Sequence, residues 1–322
     1  MGRVRVAGLT AEPGERRQGW VAIPGVEPVW EIPCVVVRGR HPGPTLAVTS
    51  GMHAAEYVPI EAVTQLARWV DPSSLRGTLL AVLLVNVPGF YERSIYVNPR
   101  DGKNLNRSFP GDPEGSPAER VAAFLLAEVI DGADAYVDAH CGDLIEALAP
   151  FTLWTKAGDP EVAAQSRAMS AAYGFERSLG VTPDSVPGAA YASAAQRGVP
   201  AIIAEIGQQG ICDADSVARH LRGLQNVMAH LGMVESLGPP APAPEPMDRM
   251  EWMRTDISAT YHPTVRVGER VTRGQPVGEL RDIFGEPLRT LSAPASGDIV
   301  FLVTSLAVKA GDPLLGIGVP GG

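Results

Sequence analysis

The sequence predicts an α/β domain built on a mixed sheet, followed by a smaller all-β domain. Three observations predict it. Short apolar runs alternate with helix-period segments through the first two-thirds; a Pro-dense stretch interrupts the pattern at 238–246; beyond it, short β-like pieces sit between Gly-containing turns. The expected division is 1–237, a linker over 238–248, and 249–322. With 322 residues, 45% of them hydrophobic, the chain can bury a sizeable core.

The strand-like runs are Val35-Val36-Val37, 45–49, 79–85, Tyr136-Val137 and Ile202-Ile203. Helices are predicted over 59–70, 117–130, 160–173 and 215–231. Several open at or near Pro or an acidic residue, which suits a first turn whose N–H groups have no helical partner. In 238–246 the density of Pro excludes a helix or a central strand, because Pro lacks the N–H that either would need. In the last segment, Val265-Arg-Val-Gly268-Glu269 recurs as Val308-Lys-Ala-Gly311-Asp312. A duplicated turn of this kind predicts a small sandwich or barrel with pseudo-twofold symmetry.

A formal charge of -9 and the absence of a Lys/Arg run argue against a nucleic-acid partner, which would require a basic surface. The longest apolar run, 79–85, falls far short of the roughly 18 residues of a membrane span, and 1–20 has no apolar signal core. No membrane partner is expected, and the reading is soluble and cytoplasmic; a homo-oligomer is left open. Cys34, Cys141 and Cys212 are odd in number and lack C-x-x-C spacing, so free thiols are expected.

The chemistry is concentrated in three segments: Gly51-Met-His53-Ala-Ala-Glu56, Asp138-Ala-His140 and Ala204-Glu205-Ile-Gly207. Each lies at or just past the end of an apolar run. Two imidazoles and two carboxylates suit a hydrolytic zinc site, with three protein ligands and a fourth position for water. His53 and Glu56, three residues apart, face one way if the chain turns helically after Gly51. Asp138 shares a strand face with His140 and could orient the site. Glu205 should emerge at the carboxyl end of a strand, the edge at which α/β sheets bind ligands. His220 and His230 fall in a predicted amphipathic helix, His41 in a Gly/Pro turn and His262 before Pro263; these four are read as structural. The loop 98–111 is too rich in turn formers to be a regular element, and within it Arg107 offers a planar fork for a carboxylate beside the Asn106 amide.

Together the segments S-G-M-H-A-A-E, D-G-K-N-L-N-R-S-F-P-G, D-A-H and A-E-I-G resemble those of the succinylglutamate desuccinylase/aspartoacylase family, which is related to zinc carboxypeptidases. The likeness spans about residues 45 to 210, and the small β domain also resembles that family's C-terminal extension. It implies a zinc carboxypeptidase-like mixed-sheet domain and a barrel-sandwich-like C-terminal domain. It further implies one Zn2+ per chain on His53, Glu56 and His140, Glu205 as general base, Asn106 and Arg107 on a substrate carboxylate, and an Arg polarising the scissile carbonyl, either Arg93 or Arg100. Tyr191 is similar to a substrate-contacting Tyr of aspartoacylases, whereas Ala195 stands where those enzymes are expected to carry a substrate-binding Arg.

The resulting expectation is a zinc-dependent amidohydrolase that deacylates a small-molecule N-acyl amino acid or related N-acyl amine. The two-domain length is similar to the branch of the family that deacetylates N-acetyl-diaminobutyrate. The alternative is a zinc carboxypeptidase acting on short peptides. The C-terminal repeat and Ala293-Pro-Ala-Ser-Gly297 also resemble a lipoyl- or biotinyl-type barrel. Carriage is rejected because the only Lys beyond residue 250 is Lys309, inside a repeat unit.

Overall fold

Three adjacent parallel strands, His41–Ser50, Ala135–His140 and Ala201–Glu205, form the centre of the structure, a computed structural model that describes residues 4–6, 8–156, 158–182 and 185–321. Their registers pair Ser50 with Ala139 and Glu205 with His140, so the three strands end level with one another. Arg76–Val82 joins in parallel on the far side of His41–Ser50, and Glu31–Arg38 and Glu15–Ala22 continue the sheet antiparallel to its edge. On the other flank, Phe151–Thr155 pairs antiparallel with Ala201–Glu205 and parallel with Arg177–Val181. The mixed α/β sheet expected from the apolar runs is the observed one.

Both faces of this sheet are covered, as continuous apolar strands require. The helices Tyr57–Trp69, Pro160–Tyr173 and Ala214–His230 pack on one face, over a core that includes Val48, Leu66, Val137, Ile202 and Leu224. Pro117–Leu125 and Ala190–Gln196 cover the other, over Ala47, Leu125, Tyr136 and Ile203. The predicted helix 117–130 is helical throughout, α over Pro117–Leu125 and π over Leu126–Ile130.

After residues 238–244 the chain does not leave the domain on a flexible tether. Glu245–Arg254, which starts inside the stretch expected to be linker, pairs in parallel with Arg177–Val181 and so extends the same sheet. Pro313–Pro320 and Gly297–Val303 follow antiparallel, and Glu146–Leu148 pairs with Gly297–Val303. A separate four-stranded antiparallel sheet, made of Pro287–Ser292, Pro276–Arg281, Ala259–Pro263 and Ala307–Val308, completes the C-terminal portion. The repeated motif forms the same turn twice. Glu269 accepts from the backbone N–H of Arg266, Asp312 accepts from that of Lys309, and Gly268 and Gly311 take positive φ of 81° and 95°.

His220, on the buried side of Ala214–His230, ties that helix to the central strands. Its Nε2 donates to the carbonyl of His140 at 3.1 Å, while its Nδ1 accepts from the Tyr173 hydroxyl. Burial lowers its pKa to about 4, so it stays neutral in the folded protein. An unfolded histidine, with a pKa near 6.5, binds a proton more readily, so folding loses stability as pH falls from about 6.5 towards 4; the full effect is roughly 3 kcal/mol. His220→Gln removes this titration while keeping an N–H donor. Thermal unfolding measured from pH 7 to pH 4 should therefore show a shallower acid loss in the variant than in the native protein. Equal acid slopes would mean that His220 does not carry the effect.

Candidate metal centre and active site

The strand Ser50 terminus turns sharply at Gly51, which takes φ +66° with the position of a Cβ only 2.6 Å from Leu84 Cδ1. A side chain there would strain the backbone and collide, so glycine is required. The turn that follows is not helical. It places His53 in a bend and Glu56 at the N-cap of Tyr57–Trp69, and both side chains are buried at the strand ends.

Glu56 bridges two imidazoles. Its Oε1 lies 2.7 Å from His53 Nδ1 and its Oε2 lies 2.9 Å from His140 Nδ1, while the backbone N–H of Cys141 also donates to Oε2. Ligand atoms of His53, Glu56 and His140 all fall within 4.8 Å of one another. The outer ring nitrogens show which way each histidine presents itself. His140 Nε2 is 3.0 Å from Asp138 Oδ2 and also 3.0 Å from Asn106 Nδ2. His53 Nε2 is 3.0 Å from Asn104 Oδ1, an oxygen that already accepts from the backbone N–H of Asn106. Both Nε2 atoms are thus held by outer polar groups, and both Nδ1 atoms face the Glu56 carboxylate. Two Nδ1 atoms and a carboxylate converging on one point make a donor set that fits a metal ion. Burial opposes charge on His140, but Asp138 and Glu56 outweigh it and raise its pKa well above the usual value.

Asp138 is itself held in place by Thr49 Oγ1 at 2.8 Å and by Asn106 Nδ2 at 3.0 Å. Asn106 Oδ1 accepts from the backbone N–H of Ala190, so the amide expected to bind a substrate carboxylate is already committed to Asp138 and Ala190. Its Nδ2 also lies 3.0 Å from His140 Nε2. Arg107, the next residue, is exposed to the cavity, with Nη1 donating to the Asn106 carbonyl at 2.7 Å. Gly188, at φ +74°, packs directly on the Arg107 backbone, where any Cβ would clash.

A cavity of about 590 Å³ opens on these groups. Glu205 lines it, with Oε2 shielded from solvent and without a hydrogen-bond partner. Burial raises the Glu205 pKa well above the usual carboxylate range, and the charges of Glu56, Glu146 and Asp138 raise it further against the opposing effect of His140. The structure thus brings His53, Glu56, His140, Glu205, Asn106 and Arg107 to one cavity.

Three expected residues are not brought there. Arg93, exposed, closes the helix Val87–Glu92 in the left-handed conformation and does not line the cavity. Arg100 is engaged elsewhere, its guanidinium donating to the carbonyls of Pro28 and Val29 and lying over the Trp30 ring at 5.1 Å. Among the described residues, the arginines at the cavity are Arg107 and Arg254; Arg93 and Arg100, expected to polarise the scissile carbonyl, do not line it. Tyr191 is buried and outside the cavity wall, its hydroxyl without a hydrogen-bond partner, close enough to feel the charge of Arg107.

Sequence reading missed Asn104, Tyr96 and Glu146, as well as the C-terminal wall formed by Trp252, Arg254 and Lys309. The available signal for Glu146 was its place six residues beyond His140. For the C-terminal residues there was none, since only strand pairing brings them to the site.

A family model for the succinylglutamate desuccinylase/aspartoacylase catalytic domain matches residues 42–231. A relative from Halomonas elongata, named N-alpha-acetyl-L-2,4-diaminobutyric acid deacetylase, is 30% identical over 260 residues, covering 78% of this chain and 74% of the relative. Among solved structures, the product-bound ectoine utilization protein EutE (DoeB) from Ruegeria pomeroyi superposes with a TM-score of 0.86 at 25% identity, over 94% of this chain and 95% of that one. A succinylglutamate desuccinylase/aspartoacylase from Rhodobacter sphaeroides gives a TM-score of 0.86 at 27% identity, over 95% and 96% of the two chains. With more than half of its length matched by the family model and its fold shared end to end with these structures, the chain belongs to the succinylglutamate desuccinylase/aspartoacylase family.

Proposed function

We propose that this protein hydrolyses the amide bond of an N-acyl amino acid, releasing a carboxylate and a free amine, with one zinc ion held by His53, Glu56 and His140. The observation that carries the reading is the convergence of the two Nδ1 atoms on Glu56, beside the unpartnered oxygen of Glu205 in the same cavity. The Halomonas elongata relative, a deacetylase of an N-acetylated amino acid by its name, supports the substrate class.

When bound, zinc supplies Lewis acidity that polarises the scissile carbonyl and eases deprotonation of water. The chain's own groups account for the rest. Glu205 accepts the proton of the attacking water on its carboxylate and passes it to the leaving nitrogen, work for which a carboxyl with a raised pKa is suited. Arg107 binds the substrate carboxylate through its planar fork, on a backbone seated against Gly188. Asp138 and Asn104 hold the rings of His140 and His53. The cavity wall includes Met250, Trp252 and Phe301 from the C-terminal strands, which narrows the space over the site and supports a small substrate over a peptide.

A hydrolysis screen of N-acyl amino acids alongside dipeptides, with zinc restored, tests the reading. We expect the N-acyl amino acids to be preferred, and Glu205→Gln to lower kcat by at least about a hundredfold while zinc content is kept. Activity confined to dipeptides would favour a carboxypeptidase, and joint loss of zinc and activity would make Glu205 a ligand.

Arg107→Lys keeps the charge and loses the fork. We expect kcat/KM for the best N-acyl amino acid to fall about tenfold or more, while the corresponding N-acyl amine lacking a carboxylate barely changes. A similar proportional loss on both substrates would move carboxylate recognition elsewhere.

A further inference from the structure

The large sheet ends in two unlike edges. At one end stands Arg270–Val271, a strand of two residues. At the other stands Glu15–Ala22, eight residues long, whose register with Glu31–Arg38 runs from end to end without a bulge. Among the described residues, no strand pairs with its outer side. In an antiparallel pair every second residue turns its N–H and C=O away from the partner strand, so this edge presents a row of free backbone groups to another strand. Folded proteins ordinarily blunt such an edge with Pro, Lys, a bulge or shortness, and Glu15–Ala22 has none of the four.

The charges on the strand are met from within the chain. Arg17 pairs with Glu15 at 3.0 Å, and Arg16 donates to the carbonyls of Arg68 and Val70 at the C-terminal end of Tyr57–Trp69. A guanidinium that bonds through its rim keeps its planar faces open to an aromatic ring. Gln18 and Trp20 share the strand face of Arg16 by alternation, and Trp20 is 57% exposed. A groove of about 380 Å³ runs along this face, floored by Val35, Ala67 and Leu83.

The strand is self-complementary in one register. When two copies of one strand pair antiparallel and continue a sheet, the twofold axis stands perpendicular to it and passes through a residue, because opposed side chains must share a face. With the axis at Gln18, the Gln18 amides face each other, Arg16 of each copy faces Trp20 of the other, and Arg17 faces Gly19. No like charges meet. An axis at Arg16 or Arg17 sets two arginines against each other, which destabilises a cross-strand pair. An axis at Gly19 sets Trp20 against Gln18 and leaves Arg16 opposite Ala22, so both cation–π contacts are lost.

We propose that Glu15–Ala22 is a self-association surface, on which a second copy of this chain pairs the same strand antiparallel about a twofold axis through Gln18. The sheet then runs unbroken from one copy into the other, with two Arg16–Trp20 contacts flanking the axis.

Sedimentation velocity of the intact protein at micromolar concentration tests the proposal, and a dimer is expected. Trp20→Lys sets a cation against Arg16 at both contacts, so the dimer dissociation constant should rise at least about tenfold. Trp20→Glu loses the same ring but offers Arg16 a carboxylate, and its dimer should be at least about tenfold tighter than that of Trp20→Lys. Circular dichroism should stay native in both, since the side chain is exposed. The register has its own readout, taken in a Cys212→Ser background that removes the exposed thiol. In Gln18→Cys the axis residue meets itself at a Cα separation of about 4.5–5.5 Å, within disulfide reach, so mild oxidation should link two chains. Arg17→Cys, which faces Gly19, should link far less. A monomeric native protein would overturn the proposal, as would a dimer indifferent to Lys or Glu at position 20, which would use another face. Failure of Gln18→Cys to cross-link, or equal cross-linking by Arg17→Cys, would overturn the pairing about Gln18.

Discussion

One carboxylate, Glu56, holds the site together. It hydrogen-bonds both His53 and His140, and it links the turn after His41–Ser50 to the end of Ala135–His140. Burying a carboxylate between two histidines is costly unless its charge is met. The surrounding structure is arranged around meeting it. The N–H of Cys141 donates to it, the two Nδ1 atoms face it, and the outward hydrogen bonds to Asn104 and Asp138 keep both rings from turning away. Behind Asp138 stand Thr49 and Asn106, and behind Asn106 the backbone of Ala190. These layers draw residues from five separate segments onto one point, and a metal ion is the single partner that would satisfy all three ligands at once.

The sheet makes this convergence possible. Because three parallel strands end level, side chains at their carboxyl ends emerge at the same depth. The C-terminal strands then extend the same sheet, which carries Trp252 and Phe301 over the opening. The cavity is therefore walled both by the strand ends of the central sheet and by residues of the C-terminal strands.

The ligand set could be read before folding because its residues lie in short motifs at the ends of apolar runs, where strand geometry dictates exposure. Glu205 was found in the same way, and so was Asp138, through strand alternation. The failures are of another kind. Arg93 and Arg100 sit near the motif in sequence but on irregular backbone, where spacing says nothing about direction, and the carbonyls of Pro28 and Val29 hold Arg100 away. Asn106 was identified by type while its partners, Asp138 and Ala190, lay far along the chain. Pro density marked 238–246 as irregular; the strand Glu245–Arg254 begins inside that stretch, where pairing with Arg177–Val181, which no local pattern announces, decides its start. Tyr96, Glu146 and the C-terminal wall enter the site through such long-range pairings alone.

The most direct test of the account is the coordination of zinc in the intact protein, measured by stoichiometry together with anomalous diffraction from zinc-loaded crystals. The account predicts one zinc per chain, bound by Nδ1 of His53 and of His140 at about 2.0–2.1 Å and by a carboxylate oxygen of Glu56, with Glu205 outside bonding distance. Zinc bound through Nε2 of either ring, bound at other residues, or absent from protein that hydrolyses its substrate would contradict it.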